Sequence, residues 1–151
     1  MADYAGAVAA MRARYEAGFN AAPSSFQNED PPQTPWPPQG QPWCYFEVIE
    51  TLRRRRGVGT PGNQTWLITG NIFVHVFVPK GYGFAAHLAL AGQAGDLFKD
   101  ATFYNAEPGA CVRCWGENGE GPTVQGGDSA SDDGNWFGLV VVIPFQFFFI
   151  G

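Results

Sequence analysis

The sequence predicts a single small α/β (α+β) domain, with a mixed or mainly antiparallel sheet flanked by two helices and an extended proline-rich arm. Three observations lead there. The chain has 151 residues, enough for one hydrophobic core and too few for two. Helical spacing of apolar residues occupies 3–19 and 84–99, whereas 43–52, 65–78 and 136–150 carry strand patterns. Seven of the twelve prolines fall between residues 22 and 42.

The first helix rests on Tyr4, Val8, Met11, Tyr15 and Phe19, which recur every three or four residues and so form one apolar stripe. Asp3 is placed to cap its start. The stretch 22–42 then changes character. Proline has no N–H to donate and a fixed φ, so this arm is neither a helix nor a central strand and tends to polyproline II. Pro35, Trp36 and Pro37 stand at its centre as candidate contact residues, either on their own domain or on a neighbouring subunit. The PxxP spacing also fits an SH3-type ligand.

Residues 43–52 alternate as a strand, "RRRRGVGTPGN" reads as a long glycine-rich turn, and 65–78 put Ile72, Val74, Val76 and Val78 on one face. Strand, turn and strand predict an antiparallel hairpin, with Gly70 marking a bulge. In the second helix, Phe84, Leu88 and Ala91 share one side while His87, Leu90, Ala94 and Leu97 share another. A helix this apolar is expected to be covered by the sheet on one side and by a partner on the other. Two short strands, 102–106 and 110–116, flank the turn "AEPG". Residues 117–135 read as a flexible acidic loop, and 136–150 as a last strand paired on both sides.

Composition narrows the function. Hydrophobic residues make up 45% of the chain, as in a globular protein. Charged residues are only 15%, so part of the surface is expected to be buried in an assembly. The net charge of −5 argues against general nucleic-acid affinity. The charges are segregated, however: four of the nine basic residues are Arg53, Arg54, Arg55 and Arg56. No apolar run reaches 18 residues, so no membrane span is expected, and the N-terminus makes a poor signal peptide. Three cysteines, an odd number, point to a reducing cytosol and not a disulfide framework.

Several short motifs bear on chemistry. Gly81-Tyr82-Gly83-Phe84-Ala85-Ala86 matches the dinucleotide fingerprint G-x-G-x-x-[GA]. The acid that should end the next strand is missing, because Asp100 ends the helix instead. Gly81 and Gly83 more simply relieve a sharp turn, with Ala86 letting the helix approach the sheet. Cys111 and Cys114 form a lone C-x-x-C whose members point to opposite faces of a strand and read as structural thiols. His75 and His87 read as hydrogen-bonded structural histidines. No nucleophile motif occurs, and the Asp-rich stretch misses the EF-hand spacing. No catalytic residue, cofactor or metal is therefore expected. The adjacent arginines repel one another and call for something negative: solvent ions, DNA phosphate, or the acidic 117–135 segment of another copy, with Asp128, Asp132 and Asp133.

Taken together, the N-terminal helix, the arm leading into "GQPWCYFEV", the run "GNIFVHVFVPKGYGFAAHLALAGQAGDLF" and the closing "VVVIPFQFF" resemble the tail terminator proteins of long-tailed bacteriophages. The resemblance spans most of the chain and is strongest at the strand, the Pro79–Gly83 turn and the helix. It implies a small α/β fold without catalysis. It also implies a homohexameric ring in the virion, assembled in the host cytoplasm. The ring would cap the tail tube, end its growth and join it to the head connector, with passing contact to DNA in the lumen. Another neck, connector or tube ring protein is the near alternative, and a nucleotide-binding enzyme the distant one. The RRRR turn and the 117–135 stretch depart from the family pattern.

Overall fold

A computed structural model describes residues 2–131 and 136–151, with side-chain detail outside 127–131. Its elements are α1 (Tyr4–Gly18), β1 (Ser24–Phe26), β2 (Trp43–Arg55), β3 (Thr65–Pro79), α2 (Phe84–Asp96), β4 (Thr102–Phe103), β5 (Cys111–Arg113), β6 (Thr123–Ser131) and β7 (Trp136–Ile150). The seven strands form one mixed sheet in the order β1-β2-β3-β7-β5-β4, with β6 beside β7. Only β1 and β2 run parallel. The predicted class, two helices against a mixed and mainly antiparallel sheet, is the one found.

Helix α1 starts where the sequence says it should. The Asp3 carboxylate accepts from the Gly6 amide at 2.8 Å, and Ala7, Met11 and Tyr15 are buried. Tyr15 packs on Phe46 with centroids 4.7 Å apart and donates or accepts a 2.7 Å hydrogen bond with Ser24. Strand β3 pairs with β7 along its whole length and with β2 from Trp66 to Phe77. Its residues Ile72, Val74, Val76 and Val78 turn inward beside Cys44 and Phe46 of β2 and Leu139, Val141, Ile143, Phe145 and Phe147 of β7. Both helices cover this one face, so the core is a single layer between helices and sheet.

Gly70 is needed for the expected bulge. The extra residue is Thr51 on the facing strand, between Glu50 and Leu52. A Cβ on Gly70 would lie 2.3 Å from the Ile49 carbonyl oxygen and 2.9 Å from Phe145.

Several expectations are corrected. Arg53, Arg54 and Arg55 do not form a turn; they extend β2 opposite Ile68, Leu67 and Trp66, and only Arg56 lies beyond it. Ladder hydrogen bonds to β3 outweigh the unfavourable local run of charge. Residues 117–135 are not one loop, because 123–131 form β6 against β7. Glycine, serine and aspartate have low strand propensity, but pairing with a long apolar strand overrides it. Helix α2 stops at Asp96 and not 99, and the two short strands are shorter than predicted. Within the arm, Ser24–Phe26 form an edge strand. Ala86 is exposed and does not set the helix–sheet distance. Gly95 does: a Cβ there would lie 3.3 Å from Pro122 and 3.4 Å from Val141.

Candidate functional site

The glycine turn is a backbone device. Gly81 has φ +83° and Gly83 φ +106°, a region that favours glycine. Tyr82 N–H donates to the Pro79 carbonyl at 3.1 Å, and α2 begins at the next residue but one. The strand after α2 is β4, which lies beyond β7 and β5 and runs antiparallel to β3. A dinucleotide fingerprint needs two parallel neighbouring strands joined through the helix, and that unit is missing from the described sheet. The cavity at the turn, about 320 Å³, is lined by Val78, Tyr82, Phe84 and Phe137, with Lys80 as its one charged residue.

What the turn and helix present outward is apolar. Phe84 is 57% exposed, Tyr82 44% and Leu88 40%. No charged residue occurs between Lys80 and Asp96. The inward side holds His87, Leu90, Ala91, Ala94 and Gly95. His87 is fully buried, and its Nε2–H donates to the Val76 carbonyl at 2.8 Å. Its Nδ1 has no partner among the described residues. Burial lowers its pKa, outweighing that hydrogen bond, so the ring is held neutral.

Among the described residues, the sheet's other face carries no helix. Directly paired residues share a face, so Trp43 and Phe77, then Tyr45, His75 and Val140, then Glu47, Phe73 and Val142 make successive rows across it. All are half-buried. Trp43 stacks on Phe77 at 4.3 Å, and Trp36 of the arm and Trp136 meet Trp43 edge-on at 5.5 and 5.9 Å. His75 Nε2 lies 2.8 Å from Glu47 Oε1, the polar pair of this face. The sequence reading predicted a hydrogen-bonded His75 but missed the face. Its signal was Phe73 and Phe77, which flank His75 at odd-numbered positions of β3 opposite the inward Val74 and Val76.

The arm lies on its own domain. Glu29 is gripped by both terminal nitrogens of Arg12, one at 2.9 Å, which pulls the Glu29 carboxyl below its usual range. Trp36 and Pro37 are half-buried, Pro38 is buried and Pro35 is exposed. The predicted arginine cluster is split by strand alternation. Arg53 bonds Glu50 at 2.8 Å, and Arg54 pairs with Glu117 of the same chain. Arg55 reaches Gln64 Oε1 at 3.4 Å, and Arg56 has no side-chain partner among the described residues. Asp128 faces Gly138 in the β6–β7 ladder. Asp132 and Asp133 lie outside the described residues. Cys114 lies just past β5 and is buried, with its thiol pushed up to about 12 by desolvation, whereas Cys111, at the start of β5, is half-buried. Among the described residues no three metal-ligating side chains converge, and no helix is long and apolar enough to cross a membrane.

No model of a known protein family matches the chain, and no curated protein sequence does. Among the solved structures that match, one superposes with a TM-score of 0.57 and 19% identity, over 92% of this chain and 94% of its own. At that identity the likeness concerns the fold alone.

Proposed function

We propose that this chain is a structural virion protein of a long-tailed bacteriophage. Six copies form a ring that caps the tail tube, ends its polymerisation and joins the tail to the head connector. One observation carries the reading: two apolar surfaces, one exposed and one half-buried, lie on opposite sides of one thin layer. One is the outward side of α2 with Tyr82, Phe84 and Leu88; the other is the aromatic outer face of the sheet. Different patches that face away from each other make head-to-tail contacts, and such contacts form a ring when the rotation between copies closes. The motif resemblance along β3, the turn and α2 supplies the particle. The described residues present exposed apolar side chains suited to contacts between copies, which favours a role in assembly.

Two measurements test this. Light scattering on the purified chain should give a mass above one protomer, with a Phe84→Asp/Leu88→Lys variant shifted to one. Deleting the gene should leave tails of irregular length that fail to join heads. Normal tails on headless particles would transfer the protein to the neck or connector. Micromolar binding of NAD or ATP by a lone protomer would instead revive the nucleotide-binding alternative.

A further inference from the structure

Strand β2 is paired along one side by β3, but its other side is only partly used. The arm adds β1 in parallel opposite Cys44–Phe46 and stops. The Gln27 side chain then takes the next outward amide, Val48 N–H, at 3.1 Å. The arm leaves the edge there, held by Glu29 on Arg12. From Ile49 to Arg55 no strand among the described residues pairs with this edge. Seven residues span about 23 Å of open ladder.

The geometry points to Ile49–Arg55 as a docking edge for an extended segment of another protein, apolar along its length and acidic at one end. Two features define that occupant. Ile49 and Leu52 stand 43% and 48% exposed on the open strand. Arginines commonly guard an edge against aggregation, and the bulge at Thr51 does the same. A purely guarded edge has little reason to keep two exposed aliphatic side chains between its charges.

Charge then sets polarity. Arg53 is occupied by Glu50 and Arg54 by Glu117. Arg55 and Arg56, at the far end, retain their positive charge without a carboxylate partner among the described residues. The incoming strand therefore meets aliphatic contacts first and guanidinium groups last. Main-chain hydrogen bonds supply affinity, and alternate side chains supply selectivity. This proposal stands independently of the ring.

Fluorescence anisotropy with synthetic peptides tests it. The probe has about nine residues of alternating valine and threonine, with two aspartates at one end. One control replaces the aspartates by lysines; another N-methylates alternate amides so that they cannot pair. The acidic peptide should bind about tenfold tighter than either control, a preference that shrinks as salt screens it. Arg55→Glu/Arg56→Glu should reverse the preference toward the lysine peptide. If that variant misfolds, Arg56→Glu alone, at an exposed side chain, should still narrow it. Absence of binding at millimolar peptide, equal binding of all three, or a preference unchanged in the variants would overturn the proposal. So would self-association through this edge that the acidic peptide does not displace.

Discussion

Replacing His87 by leucine should make the protein less sensitive to acid at almost no cost near neutrality. His87 is buried beneath α2 with one ring nitrogen bonded to the Val76 carbonyl and the other without a partner among the described residues. Leucine forfeits a hydrogen bond of about 1 kcal/mol and relieves a buried unpaired acceptor of about 1–3 kcal/mol. At pH 7.5 the two terms largely offset each other. The pH term does not cancel. Burial lowers the folded-state pKa of His87 below its unfolded value of 6.5. Below about pH 6.5 the unfolded chain therefore binds a proton that the folded chain excludes. Stability is full above that pH and falls as acid is added, by up to about 1.4 kcal/mol per pH unit, until the folded ring itself protonates. Such a loss moves the melting temperature of a domain this size by about 3–5 °C per pH unit. Thermal unfolding of both proteins at pH 7.5, 6.5 and 5.5 isolates the effect, because all other groups are shared. Parallel pH curves for the two proteins would refute the assignment.

Three further outcomes follow from the packing. Gly83→Ala has open space around the new methyl but a φ of +106°, so it should cost about 1–2 kcal/mol by conformation alone, read by urea unfolding. Gly95→Val must displace Pro122 or Val141 and should cost about 1–3 kcal/mol in the same assay, whereas Ala86→Val, at an exposed position, should change little. Phe84→Asp/Leu88→Lys should leave the melting temperature of the protomer nearly unchanged while abolishing association. A drop in protomer stability comparable to a core mutation would place those side chains inside the fold.

Some of the architecture was legible in the chain. The α1 stripe and its Asp3 cap, the inward set Ile72–Val78 of β3, and the Gly81–Gly83 turn are local patterns, and each became the predicted element. The arginines misled because charge repulsion is a local signal, whereas β2 continues to Arg55 through bonds to residues about a dozen positions away. β6 misled for the same reason: "TVQGGDSAS" has a loop composition and acquires strand form from β7. The candidate site was half visible. A side of α2 left for a partner was expected from its excess of apolar residues, but the aromatic sheet face depends on which strands sit side by side.

Periodicity and capping chemistry operate within a few residues of each other, so the amino-acid order alone determined where helices and the longest strands begin. Register and sheet order are settled between segments far apart in the chain. Only the folded state could decide that both helices share one face, that the arginines are divided between two sides of a strand, and that among the described residues the outer edge of that strand has no partner strand beyond Val48.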